Sequence, residues 1–129
     1  MQRPRDPSQS ATDAAAVVAF WRDAGPDRWF AKDEAFDRQF RAHCLDLHEA
    51  AARGDLQSWL DDPTGALALI LLLDQFPRNC FRDTPRMFAT DAQARAVATA
   101  AIEAGHDQAI DPELRVFFYL PYEHSEAPA

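Results

Sequence analysis

Eight consecutive apolar residues, Ala66 to Leu73, run without a break into Asp74, Gln75, Phe76, Pro77, Arg78 and Asn79. A helix that is apolar on every side has no stripe to offer water, so it belongs at the centre with other elements packed around it. The run is far shorter than the ~20 residues needed to span a bilayer, which makes it a core helix and not an anchor. Asp61 and Asp62 suit the N-terminus of this helix and Pro63 its first turn. Pro77 has no amide proton and pushes the residue before it towards an extended conformation, so the helix is expected to cover 64–76 and stop there.

The remaining elements follow from helical spacing. Residues 1–9 carry two prolines and little to bury, and are expected to form a disordered arm ahead of a single domain over 10–129. Ser10 and Asp13 resemble a capping box for a first helix with Ala14, Val17, Val18 and Trp21 on one face, closed by Gly25-Pro26. A second helix starts near Asp33 and repeats Phe36, Phe40, Cys44, Leu47 and Ala51 at steps of three and four. Thr90 and Gln93 form a T-x-x-Q capping box for a helix whose stripe is Ala94, Val97, Ala98, Ala101 and Ile102. The last apolar run, Val116 to Leu120, is read as a short helix broken by Pro121. No segment alternates with period two, so the fold class is all-α, and short connections favour antiparallel helical hairpins around the central helix.

Charge and cysteine content narrow the function classes. Thirteen Lys and Arg against 21 Asp and Glu leave a formal charge of −8, which repels phosphate backbones and anionic lipid. Neither nucleic acid nor membrane is an expected partner, and a cytoplasmic location is expected. Cys44 and Cys80 are too few for a disulfide framework and sit in apolar patterns. Cys44 and His48 are four apart on one helix, a spacing open to metal, but two ligands do not make a site and neither metal nor cofactor is expected. No glycine-rich phosphate loop, metalloprotease motif or nucleophile elbow is present.

The candidate chemistry lies where two apolar runs meet proline. One is followed by Arg78, Asn79 and Arg82, the other by Tyr122, Glu123, His124, Ser125 and Glu126. Antiparallel alternation would bring both ends to one side of the domain. The predicted site then has His124 as general acid or base, Asp74 or Glu123 orienting it, and Arg78, Asn79, Gln75, Arg82 and Glu126 around a small anionic or peptide carboxylate ligand. The same residues also fit a purely architectural role, since arginine and histidine cap helix C-termini and Asp74 can pair with Arg78 one turn away. A Cys80–His124 nucleophile pair is conceivable, although a cysteine among apolar neighbours usually only packs. Three functions follow from these readings: a binding module for an anionic ligand, a hydrolase using His124, and a structural domain that forms a homodimer or pairs with another chain.

Phe20-Trp21, Trp29-Phe30, Phe36-Asp37, LALILLLDQFPRN (67–79), FATDAQA (88–94) and FFYLPYEHSE (117–126) resemble, in order and spacing, the bacterial DUF924 family. The resemblance implies a tetratricopeptide-like, all-helical fold and supplies no activity, cofactor or catalytic residue. Cys80 stands where the family looks aliphatic, and Asp83 where glycine is usual. The family pattern also continues past Ala129 with another helix pair, so a pocket built from both halves would be incomplete in this chain.

Overall fold

The computed structural model describes the backbone of residues 7–126 and the side chains of residues 9–124. Helix α1 spans Pro7–Ala24, the one-turn helix α2 Pro26–Trp29, and α3 Glu34–Ala52. A 3-10 turn at Gln57–Asp61 leads to α4, Pro63–Ile70. The chain then passes through a π-helical turn, Leu71–Gln75, directly into α5, Phe76–Cys80. A 3-10 turn at Pro85–Met87, α6 at Asp91–Glu103, two further 3-10 segments at His106–Ala109 and Pro112–Phe118, and α7 at Leu120–Glu126 complete an all-helical domain with no strand among the described residues.

The apolar run lies where its composition requires. Ala66 to Leu73 and Phe76 are all essentially inaccessible to water. Helices α1 and α6 and several 3-10 segments pack on α4, while α3 packs on the π-turn and α5. The Asp62 carboxylate accepts from the Gly65 amide at 2.8 Å and caps α4 as its charge predicts. Asp33 does the same for α3 through Phe36, at 3.0 Å. Gly65 itself is fixed by space: a Cβ at that position would lie 2.2 Å from the Trp59 carbonyl oxygen.

Several boundaries differ from expectation, each for a physical reason. Helix α1 begins at Pro7, earlier than the Ser10 cap, because proline is well suited to a first helical turn; residues 1–6 of the expected arm lie outside the described residues. Pro77 does not end the central rod and Pro121 does not end the last one. Each sits in the first turn of a new short helix, where its missing N–H costs least. Thr90 makes no capping hydrogen bond to α6; its hydroxyl turns into the core, and Gln93 reaches the Ala52 carbonyl at 3.1 Å.

Trp21, Trp29, Phe36, Phe40 and Phe117 form one aromatic cluster in contact with Phe76 through Phe40. The Trp29 indole donates to the Trp21 carbonyl at 2.6 Å and ties α2 back onto α1. These aromatics are all buried in the core. Phe30 stacks on Phe117 yet stays 65% exposed.

Candidate functional site

The π-turn exists because of Pro77. In an α-helix the Leu73 carbonyl would accept from residue 77, and in π register the Leu72 carbonyl would; proline supplies no proton in either case. The chain takes up one extra residue instead, so that the Phe76 amide bonds the Leu71 carbonyl. Two buried carbonyls are left, and side chains satisfy them. The His48 Nδ1–H donates to Leu72 O at 2.8 Å and the Thr90 hydroxyl to Leu73 O at 2.7 Å. Next along the chain, the Arg78 guanidinium donates to Asp74 O at 3.1 Å.

His48 is buried and stacked on Phe76 with ring centroids 4.8 Å apart. Burial pushes its pKa below the ordinary imidazole value, with the Leu72 hydrogen bond opposing. It holds the π-turn from α3. Cys44, its suspected companion ligand, lies in the core with its thiol pushed up to about 12 by burial. Among the described residues no cluster of His, Cys, Asp or Glu has metal-binding geometry.

Asp74 is the hub of the site. It is only 1% exposed, and its Oδ1 accepts from His124 Nδ1–H at 2.8 Å and from Arg78 Nη1 at 3.1 Å, while Oδ2 accepts from Gln75 Nε2 at 3.1 Å. Arg78 also makes a two-pronged pair with Asp91, at 2.8 and 3.0 Å, and its guanidinium lies 5.7 Å from the centre of the exposed Phe88 ring. The His124 side chain is 25% exposed, and its second nitrogen, Nε2, bonds no described residue. The arrangement is an imidazole held in one orientation by a buried carboxylate, with its outer nitrogen bonded to no described residue.

The other predicted residues divide around α5. Successive helical residues point ~100° apart, so Arg78 and Asn79 cannot share a face. Asn79 Nδ2 and Arg82 Nε both bond Asp37 of α3, at 3.0 and 3.2 Å, on the side away from His124. Cys80 goes the same way: its thiol donates to Asp37 O at 3.6 Å and is pushed up to about 12 by burial and by the Asp37 charge. This placement gives no support to a Cys80–His124 pair. Glu123 is exposed, and the side chain of Glu126 lies outside the described residues. Asp74, Arg78, Gln75 and His124 thus come together, whereas Asn79 and Arg82 form a separate tie.

Asp91, Asp37, His48 and Thr90 are the residues that sequence reasoning did not place. One signal pointed to two of them. A proline inside a continuously apolar helix leaves buried carbonyls, which require buried donors from elsewhere in the chain.

These features define a class: an all-helical domain built round a proline-induced π-turn, with a buried carboxylate–imidazole pair at its end. Among the described residues no helix is long and apolar enough to cross a membrane. A family model described as bacterial protein of unknown function (DUF924) matches residues 17–129, and the chain belongs to that family. The solved structure of a protein of unknown function from Agrobacterium tumefaciens is similar, with 57% identity and a TM-score of 0.89 over 92% of this chain and 67% of that one. No curated protein matches.

Proposed function

We propose that the domain is a hydrolase-type enzyme in which His124 acts as general base on a water molecule and Asp74 holds the imidazole in its working orientation. The observation that carries this reading is the 2.8 Å His124–Asp74 hydrogen bond to a carboxylate that is itself locked by Arg78 and Gln75. With Nδ1 fixed as the donor, Nε2 is the nitrogen that takes a proton, as in other base–orienter pairs. No serine or cysteine nucleophile is needed if water is the attacking group.

Binding of an anion by Arg78, the other expectation from the sequence, is less well supported. The charge of that guanidinium is already saturated, since Asp74 and Asp91 bring two negative charges against its one. The same saturation favours a second reading, in which the cluster only ties α5, α6 and α7 together. Turnover on a panel of esters, amides and phosphate esters separates the two. His124→Ala should remove it and Asp74→Asn lower it by about a hundredfold or more. Hydrolysis that survives His124→Ala, or none by the wild type on any of the three classes, would leave the structural tie as the better account.

A further inference from the structure

On α6, Asp91, Arg95 and Thr99 follow one another at steps of four and so share one flank of the helix. Both ends of this row are anchored. Asp91 pairs with Arg78 of α5, and the Thr99 hydroxyl is hydrogen-bonded to the Tyr122 hydroxyl of α7. Arg95 lies between them, about 6 Å along the axis from each. Helical side chains lean towards the N-terminus, which for Arg95 is the Asp91 end, where Asp74 and His124 lie beyond Arg78.

Arg95 is partly buried, yet its guanidinium has no hydrogen bond or ion pair with any described residue. Its natural partner at this spacing is Asp91, but both Asp91 oxygens are taken by Arg78. In a chain with 21 acidic residues against 13 basic ones, a part-buried arginine that pairs with no described residue, on the helix flank between the Arg78-bound Asp91 and the Tyr122-bound Thr99, is placed to receive an anion from outside. Arg22, Arg53, Arg78, Arg82 and Arg86 have carboxylate partners and Arg41 and Arg115 donate to backbone carbonyls, while Arg28 and Arg38, with neither among the described residues, are exposed.

We propose that Arg95 is the anion-binding residue of this site, holding a carboxylate or phosphate oxygen of the substrate beside His124. Arg78 then serves as scaffold and Arg95 as the ligand contact, with its planar fork free for two parallel hydrogen bonds. The inference rests on His124 being the reacting base for its meaning as a substrate site, but not for its test.

The test follows the His124 imidazole by NMR during titration with inorganic phosphate and, separately, acetate, at constant ionic strength set with sodium chloride. In the wild type the imidazole resonances should shift saturably with at least one of the two, the responding anion telling phosphate from carboxylate. Arg95→Gln should weaken the apparent affinity by about tenfold or more, and Arg95→Lys by less, since it keeps the charge and loses the fork. Both variants should keep the native spectrum. A wild-type imidazole that responds to neither anion would overturn the proposal, as would an unchanged response in Arg95→Gln. Loss of the native spectrum in both variants would make Arg95 architectural and overturn it too. A positive titration with no hydrolysis would leave the anion site standing and remove only the base.

Discussion

Thr90→Val isolates the hydrogen bond on which the π-turn depends. Valine keeps the shape of threonine and deletes the hydroxyl, so the Leu73 carbonyl loses its 2.7 Å partner in a setting where Thr90 is buried and Leu73 almost wholly so. Leaving a buried carbonyl unpaired costs about 1–3 kcal/mol. The added methyl recovers part of that through burial, so a net loss of about 2 kcal/mol is expected. For a chain of 129 residues this corresponds to a fall of roughly 8 °C in Tm. Urea denaturation should give the same loss as a lower midpoint at unchanged slope. The mechanism has a second arm. Pro77→Ala restores the amide proton whose absence orphans the carbonyl, so Thr90→Val should cost clearly less in that background, with a coupling of about 1 kcal/mol. If Thr90→Val lies within about 0.5 kcal/mol of the wild type, or if its cost is the same in the Pro77→Ala background as in the natural sequence, the account of the π-turn as a proline-driven defect satisfied from outside is wrong.

Three further predictions test other links. Gly65→Ala gains helix propensity worth about 1 kcal/mol, but its methyl would meet the Trp59 carbonyl at 2.2 Å, so a net loss of about 1–3 kcal/mol is expected in chemical denaturation. Asp107 is buried and its pKa is held below the ordinary aspartate value of 3.8, first by the Tyr119 hydroxyl. A lowered carboxylate pKa stabilises the fold above pH 3.8 and loses that contribution as the pH falls through the folded value, so Tyr119→Phe should flatten the acid limb of the stability curve below pH 4. Asp83 has a φ of 64°, a left-handed backbone that glycine adopts without strain, and Asp83→Gly should leave Tm unchanged or raise it by up to about 3 °C despite the added chain entropy.

How much of this was legible in the sequence depended on range. The apolar run needed no partner to be read: eight residues without a polar face can only be central, and all eight are buried. The caps at Asp33 and Asp62 were equally local. The meeting of Asp74 with His124 was reached through an argument about chain direction, and the two residues lie 50 apart in sequence. The grouping of Asn79 with Arg78 failed because it counted proximity in sequence and ignored helical phase, and that of Arg82 because α5 ends at Cys80, before it reaches the next turn. Their common partner, Asp37, is more than forty positions away, beyond the reach of any local spacing rule. Thr90 misled in the opposite way: T-x-x-Q satisfies the local capping rule, but a buried carbonyl on another helix was the more demanding acceptor.

The π-turn also explains why the site is where it is. Its two orphan carbonyls draw His48 from α3 and Thr90 from the entry to α6, and the residue that follows Thr90 is Asp91, which grips Arg78. Arg78 in turn bonds both the carbonyl and the carboxylate of Asp74, and that carboxylate orients His124. Apart from the covalent step from Thr90 to Asp91, each link is made by one or two hydrogen bonds between buried or partly buried groups. Thr90 is thereby linked to the imidazole through Asp91 and Arg78 without touching it. Pro77, expected to do no more than end a helix, is the residue from which this chain of contacts begins.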